Sequence, residues 1–118
     1  MKKFQERNQK KEELLRNIEE KLFGNKKSNG VGYEELVTML MYCSVNNIDV
    51  DEDRNYEYLY EAVGKIHNEY PSYVPSKISK MLGLLRQRKN KLEIQDFLKE
   101  ITGRPIAEQV ILISKKIN

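Results

Sequence analysis

The stretch DRNYEYLYEAVGKIHNEYP, Asp53 to Pro71, decides the fold. Through it Tyr56, Leu59, Tyr60, Val63, Ile66 and Tyr70 recur at three- and four-residue steps, the spacing that lines up side chains on one stripe of an α-helix. The acidic run Asp49 to Asp53 stands where carboxylates cap such a helix and offset its positive N-terminal end, so the helix is expected to start near Asp53. Pro71 is expected to end it, because proline disfavours a helical residue before it.

Working outward, the same periodicity repeats on both sides. Leu14, Leu15, Ile18, Leu22 and Phe23 mark an amphipathic helix over residues 4–23, with residues 1–10 expected to fray. Gly24 and the polar loop Asn25 to Gly32 close it. Tyr33, Leu36, Val37, Leu40, Met41 and Ser44 mark a second helix, stopped near Asn46-Asn47. After the quoted stretch, Pro75-Ser76 opens a fourth helix with Ile78, Met81, Leu82 and Leu85 inward. A fifth carries Ile94, Phe97, Leu98 and Ile101 and is closed by Thr102-Gly103. Residues 106–117 fit a helix through Ile106, Val110, Ile113 and Ile117, and partly fit a strand through Ile111, Ile113 and Ile117. Ala107-Glu108-Gln109 favour the helix. The expectation is one all-α domain over 1–118, a compact antiparallel bundle of four to six helices.

Composition agrees with a single folded domain. The chain has 118 residues, 39% apolar and 33% charged, enough for one core. The lone Cys43 leaves no intramolecular disulfide, and the N-terminal charged stretch lacks the apolar segment of a signal peptide, so a reducing cytoplasm is expected. The longest purely apolar run, Val110 to Ile113, falls far short of the roughly 20 residues of a bilayer span. Lysine outnumbers arginine fifteen to six, and Asn, Ile and Tyr abound, a bias that fits AT-rich bacterial coding DNA.

Covalent chemistry finds little purchase in these residues. His67 is the only histidine, so a nucleophile pair would have to be Cys43 or a serine with His67, and Cys43 reads as a small packing residue. Structural zinc needs about four Cys or His ligands. Asp49, Asp51 and Asp53 begin like an EF-hand loop, but Arg54 stands where that loop needs glycine and Tyr60 where it needs glutamate. Gly30 and Gly32 lack the spacing of a phosphate-binding loop. No catalytic residue, metal or cofactor is expected.

Charge is unevenly distributed although the net value is only +3. Between Ser76 and Lys91 stand Lys77, Lys80, Arg86, Arg88, Lys89 and Lys91 with no acid, whereas between Ile48 and Glu61 six acids stand against Arg54 alone. Two readings of the basic segment stay open: a phosphate-contacting face for DNA or RNA, or a solvated face balanced by acids. Val74 to Leu84 also passes for the first helix and turn of a helix-turn-helix, with Gly83 in the turn, while Leu84 and Leu85 continuing the apolar stripe fit one plain helix. Tyr56 and Tyr60 share the core face, which leaves Tyr58 and Tyr73 as exposed contacts for a protein or a base.

Taken together, Tyr56 to Arg104 runs helix, proline-bearing turn, helix, an Asn90-Lys91-Leu92 joint, then a helix with Phe97, Leu98 and Ile101. With Pro75, Ile78, Leu82 and Leu85 inside it, this resembles the immunity proteins of class IIa bacteriocins, small cytosolic antiparallel four-helix bundles. The loop at Asn25 to Gly32 and the acidic segment at Asp49 to Asp53 depart from that pattern. The resemblance implies a protein partner, a bacteriocin bound to its membrane receptor, recognised from the cytoplasmic side largely through the C-terminal part. Arg104, Lys115 and Lys116 then join Tyr58 and Tyr73 as contact residues. The first function expected is therefore a non-catalytic protein-recognition module, the second a nucleic-acid-binding regulator. Self-association through the long first helix, giving a homodimer, is a further reading.

Overall fold

The computed structural model describes residues 2–24, 30–51, 55–88 and 94–118, with side chains from residue 9 onward. Among these residues there is no strand, and six helices follow in order: α1 (Lys2–Phe23), α2 (Tyr33–Val45), α3 (Glu57–His67), α4 (Tyr73–Arg86), α5 (Gln95–Glu100) and α6 (Ile106–Ile117). They form an all-α helical bundle. Helix α2 packs against α1, α3, α4 and α6, and its contact with α6 is the most extensive in the molecule.

The amphipathic stripes meet in one core. Ile18, Leu22 and Phe23 of α1, Leu36, Met39 and Leu40 of α2, Leu59 and Val63 of α3, and Ile78, Leu82 and Leu85 of α4 are all fully buried there. Each such side chain contributes about 1.5–3 kcal/mol by leaving water. Residues 106–117 are helical, and α6 buries Val110, Ile111, Ile113 and Ile117 together. Ile111 and Ile113 alternate like strand residues only because α6 is apolar round most of its circumference, and such a helix belongs inside.

Other helices meet the ends of α6. At its start the Tyr60 hydroxyl accepts the Ala107 N–H at 3.1 Å, one of the amides a helix cannot satisfy internally. At its end the Lys21 ammonium donates to the Ile117 carbonyl at 3.0 Å, placing a cation at the negative pole. Lys115 pairs with Asp49, and the Asn118 amide donates to the Ser44 hydroxyl at 2.7 Å, fastening the tail to α2 and the segment after it.

Four local expectations give way to the structure. Helix α3 ends at His67, not at Pro71, because Asn68 adopts the left-handed conformation (φ 54°) and the Glu69 N–H turns back to the Gly64 carbonyl at 2.8 Å. Its N-terminus is served by Asn55, whose side-chain oxygen accepts the Glu57 N–H at 2.9 Å, while Asp49 is engaged with Lys115. Helix α4 begins at Tyr73, two residues before Pro75, which fits in the first turn because no intrahelical bond is due from its nitrogen. The same helix runs unbroken through Gly83, so the helix-turn-helix reading of Val74 to Leu84 falls away, and Leu84 points outward instead of continuing the stripe. Asp53, Arg54, the loop residues 25–29 and the joint at Asn90, Lys91 and Leu92 lie outside the described residues.

Two glycines give opposite expectations. Gly32, at φ +92°, brings the start of α2 against α4 so closely that an added Cβ would lie 1.9 Å from the Lys77 carbonyl oxygen. Gly83 would meet nothing within 4 Å. Gly32→Ala should destabilise the fold by at least about 3 kcal/mol, from clash and backbone strain combined. Gly83→Ala should stabilise it by about 0.5–1 kcal/mol through helix propensity alone. Denaturant unfolding of the two variants checks both signs.

Candidate interaction surface

The basic segment is largely consumed inside the protein. Arg86 donates from Nε to the Leu98 carbonyl at 2.9 Å and from Nη2 to the Gln109 side-chain oxygen, joining α4 to α5 and α6. Burial lowers its pKa from the ordinary arginine value. Arg88 donates to the Phe23 carbonyl at 2.9 Å, and its guanidinium sits 5.9 Å from the centre of the Phe23 ring, holding the end of α4 to the end of α1. Lys77 is paired with the Glu69 carboxylate, a hydrogen bond that raises its pKa. Lys80 is exposed and has no ion-pair or hydrogen-bond partner among the described residues, and Lys89 and Lys91 lie outside them. Sequence counts these cations as one face, but the fold assigns most of the described ones to internal duties.

The other contact candidates separate in the same way. Tyr58 is half-buried and packs against the core. Arg104 is exposed, with Glu108 3.8 Å away, and Lys115 is tied to Asp49. Lys116 lies over the Phe97 ring at 5.5 Å. Helix α6 itself is core, so the C-terminal segment offers contacts only at its exposed ends.

An aromatic edge remains where α3 turns into α4. Tyr73 is 55% exposed and Tyr70 71%, and Ile66 near the end of α3 is 62% exposed. The two tyrosine rings meet edge to face with centroids 5.7 Å apart. Both line a cleft of about 570 Å³ together with Gly64, Lys65, Asn68 and Glu69. The turn is rigidly defined. A Cβ on Gly64 would come within 2.7 Å of the Glu69 carbonyl oxygen, and the Tyr73 N–H donates to the Tyr70 carbonyl at 3.0 Å. Sequence reasoning finds Tyr73 here but assigns Ile66 and Tyr70 to the core stripe. The missed signal is Asn68, a residue that tolerates the left-handed conformation and ends the helix before the stripe is complete.

No protein-family model, curated protein or solved structure matches this chain. The geometry therefore stands on its own.

The titratable groups of the interior read as packing and ties. Cys43 is buried in α2, and desolvation pushes its thiol pKa up to about 12, far from a nucleophilic thiolate. The Thr38 hydroxyl and His67 Nε2 are 2.7 Å apart, with His67 Nδ1 4.0 Å from the Glu34 carboxylate. This order of hydroxyl, imidazole and carboxylate would need donors for an oxyanion to act on a substrate. The amides around Thr38 lie inside α2 and are taken up by its own hydrogen-bond ladder. The contact ties α2 to the end of α3. Among the described residues no cluster of three or more His, Cys, Asp or Glu side chains is arranged to hold a metal.

These placements separate two kinds of cation. Arg86→Ala should cost about 2–4 kcal/mol, because it removes two charge-assisted hydrogen bonds from a partly buried site. Lys80→Ala should stay within about 0.5 kcal/mol of the parent. Thermal unfolding of both distinguishes them. Cys43 should resist a thiol reagent at pH 8 in the native state and react in denaturant.

Proposed function

We propose that this chain is a non-catalytic helical protein-recognition module that docks through the α3–α4 edge, and in its sharpest form an immunity protein against a class IIa bacteriocin. The observation that carries the reading is the pair Tyr70 and Tyr73, large rings left in water at the α3–α4 turn. Tyrosine supplies contact area at low entropic cost and is enriched among residues that dominate binding energy. The core has apolar residues enough without them, so burial within the chain gives no reason for their position. The edge is also held in one geometry by the turn, which lowers the ordering cost of association.

The immunity form draws further on the resemblance carried by residues 56–104, with Arg104, Lys115 and Lys116 as contacts at the ends of the C-terminal segment. A cytoplasmic setting and a bacteriocin–receptor complex as partner belong to that form. A nucleic-acid role would rest on Lys80 and on Lys89 and Lys91, since Arg86 and Arg88 are engaged within the bundle.

Expression in a sensitive strain, challenged with a panel of class IIa bacteriocins, tests the sharp form. Survival is expected for the parent and is expected to drop at least tenfold for Tyr70→Ala, Tyr73→Ala, a double variant whose stability should change by less than about 1 kcal/mol. No protection by the parent against any member removes the immunity form. Equal protection by the double variant removes the edge.

A further inference from the structure

Along α4 the residues Tyr73, Lys77, Lys80 and Leu84 follow at steps of four, three and four. At about 100° per residue these positions fall within an arc of about 60°, and the outer two stand about 16 Å apart along the axis. Leu84 is 52% exposed and Tyr73 is as open, so each end of the strip holds a large side chain left in water. Between them lie cations. Lys80 is exposed with no ion-pair or hydrogen-bond partner among the described residues, and α4 carries no acid along its length. Lys77 is 36% exposed, whereas the Glu69 carboxylate that pairs with it is only 13% exposed, so little negative charge reaches water there. Lys65, which lines the cleft with Tyr70 and Tyr73, adds an exposed cation beside the strip. The exposed acids Glu61 and Glu57 lie one and two turns before Lys65 on α3, so the cationic surface follows α4.

We propose that the outer face of α4 receives an acidic amphipathic segment of a protein partner, with apolar side chains on Tyr73 and Leu84 and carboxylates toward Lys65 and Lys80. The inference deepens the recognition reading above and rests on it for the partner's being a protein. Exposed cations beside apolar surface favour an incoming carboxylate and penalise an incoming ammonium, so charge selects the sign of the partner. Covering the ring and the leucine supplies the attraction. A nucleic-acid backbone would leave Leu84 without a complement, and it would find few free cations here, although its affinity grows with each phosphate neutralised. The face is held rigid, because Arg86 and Arg88 tie the end of α4 to α1, α5 and α6, which lowers the ordering cost on this side. Exposed ion pairs are weak and screened by salt, so one short acidic segment should bind with Kd on the order of 1 mM at low ionic strength.

The test titrates the intact protein, followed by amide NMR, with an amphipathic helical peptide of leucine and glutamate about 15 residues long. The same peptide with glutamine or lysine in place of glutamate, and a single-stranded DNA of equal length, serve as comparisons. Saturable shifts at Tyr73, Lys80 and Leu84 are expected with the glutamate peptide, at least fivefold weaker binding with the glutamine peptide, and none with the lysine peptide. Lys80→Glu and Leu84→Ala, both at exposed positions that should leave the fold intact, are each expected to weaken the glutamate peptide at least fivefold. Lys80→Glu should also improve binding of the lysine peptide, a reversal that mere loss of structure would not produce. Absence of saturable shifts, equal binding of the glutamine or lysine peptide, or binding untouched by Lys80→Glu would overturn the acidic occupant. DNA binding more tightly than the glutamate peptide would overturn the choice of a protein. If the double tyrosine variant loses protection or its partner while the glutamate peptide shows no binding, this inference fails and the recognition reading stands. If the glutamate peptide binds as described and the double variant keeps its partner, the recognition reading fails instead.

Discussion

Helix α6 has too much apolar surface to face water on more than a narrow strip, and the bundle is arranged around that constraint. Val110, Ile111, Ile113 and Ile117 are enclosed mainly by α2, with α1 and α4 completing the enclosure. A helix buried this way brings its unsatisfied ends inside with it, and those ends need partners. Tyr60 answers at the first turn and Lys21 at the last. Two residues that look like one more core aromatic and one more surface lysine are thereby fixed by the needs of a helix far along the chain. Arg86 serves the same region, joining the Leu98 carbonyl and Gln109 of α6 to α4.

Enclosing α6 determines what is left for function. The basic residues between Ser76 and Lys91 are close in sequence but divided by duty, because the helix rotates successive residues to different faces and some of those faces meet neighbours. Arg86 and Arg88 reach inward to carbonyls, and Lys77 reaches Glu69. Among the described residues the exposed tyrosine pair lies instead at the α3–α4 turn, away from the continuous core stripes. There the chain must reverse quickly, and Tyr70 and Tyr73 stand out from the turn that reverses it.

Much of the architecture was legible in the residues because periodicity reports burial directly. The helical stripes of Leu36 and Leu40, Leu59 and Val63, and Ile78 and Leu82 place α2, α3 and α4 in order, and Ala107-Glu108-Gln109 tips the last element to helix. Boundaries were less legible, since Pro71 is a strong stop signal and Asn68 a weak one, yet the left-handed turn at Asn68 comes first and ends α3. That small shift takes Tyr70 off the helix and out of its stripe, whereas Ile66 is exposed although it lies within α3. The Glu69–Lys77 pair had no sequence signature, because it joins the turn after α3 to a residue eight positions later on α4. The inward turn of Arg86 was equally hidden, as its acceptors are a backbone carbonyl and an amide.

Native-state hydrogen exchange, resolved by residue, tests the central claim that an enclosed α6 organises the bundle. Amides of Val110, Ile111 and Ile113 should exchange only through global unfolding, with the same free energy as Leu40 in α2 and the same dependence on denaturant. Exchange of those α6 amides through a local opening, at a free energy several kcal/mol below that of α2, would mean that the helix is an accessory laid on a bundle that stands without it.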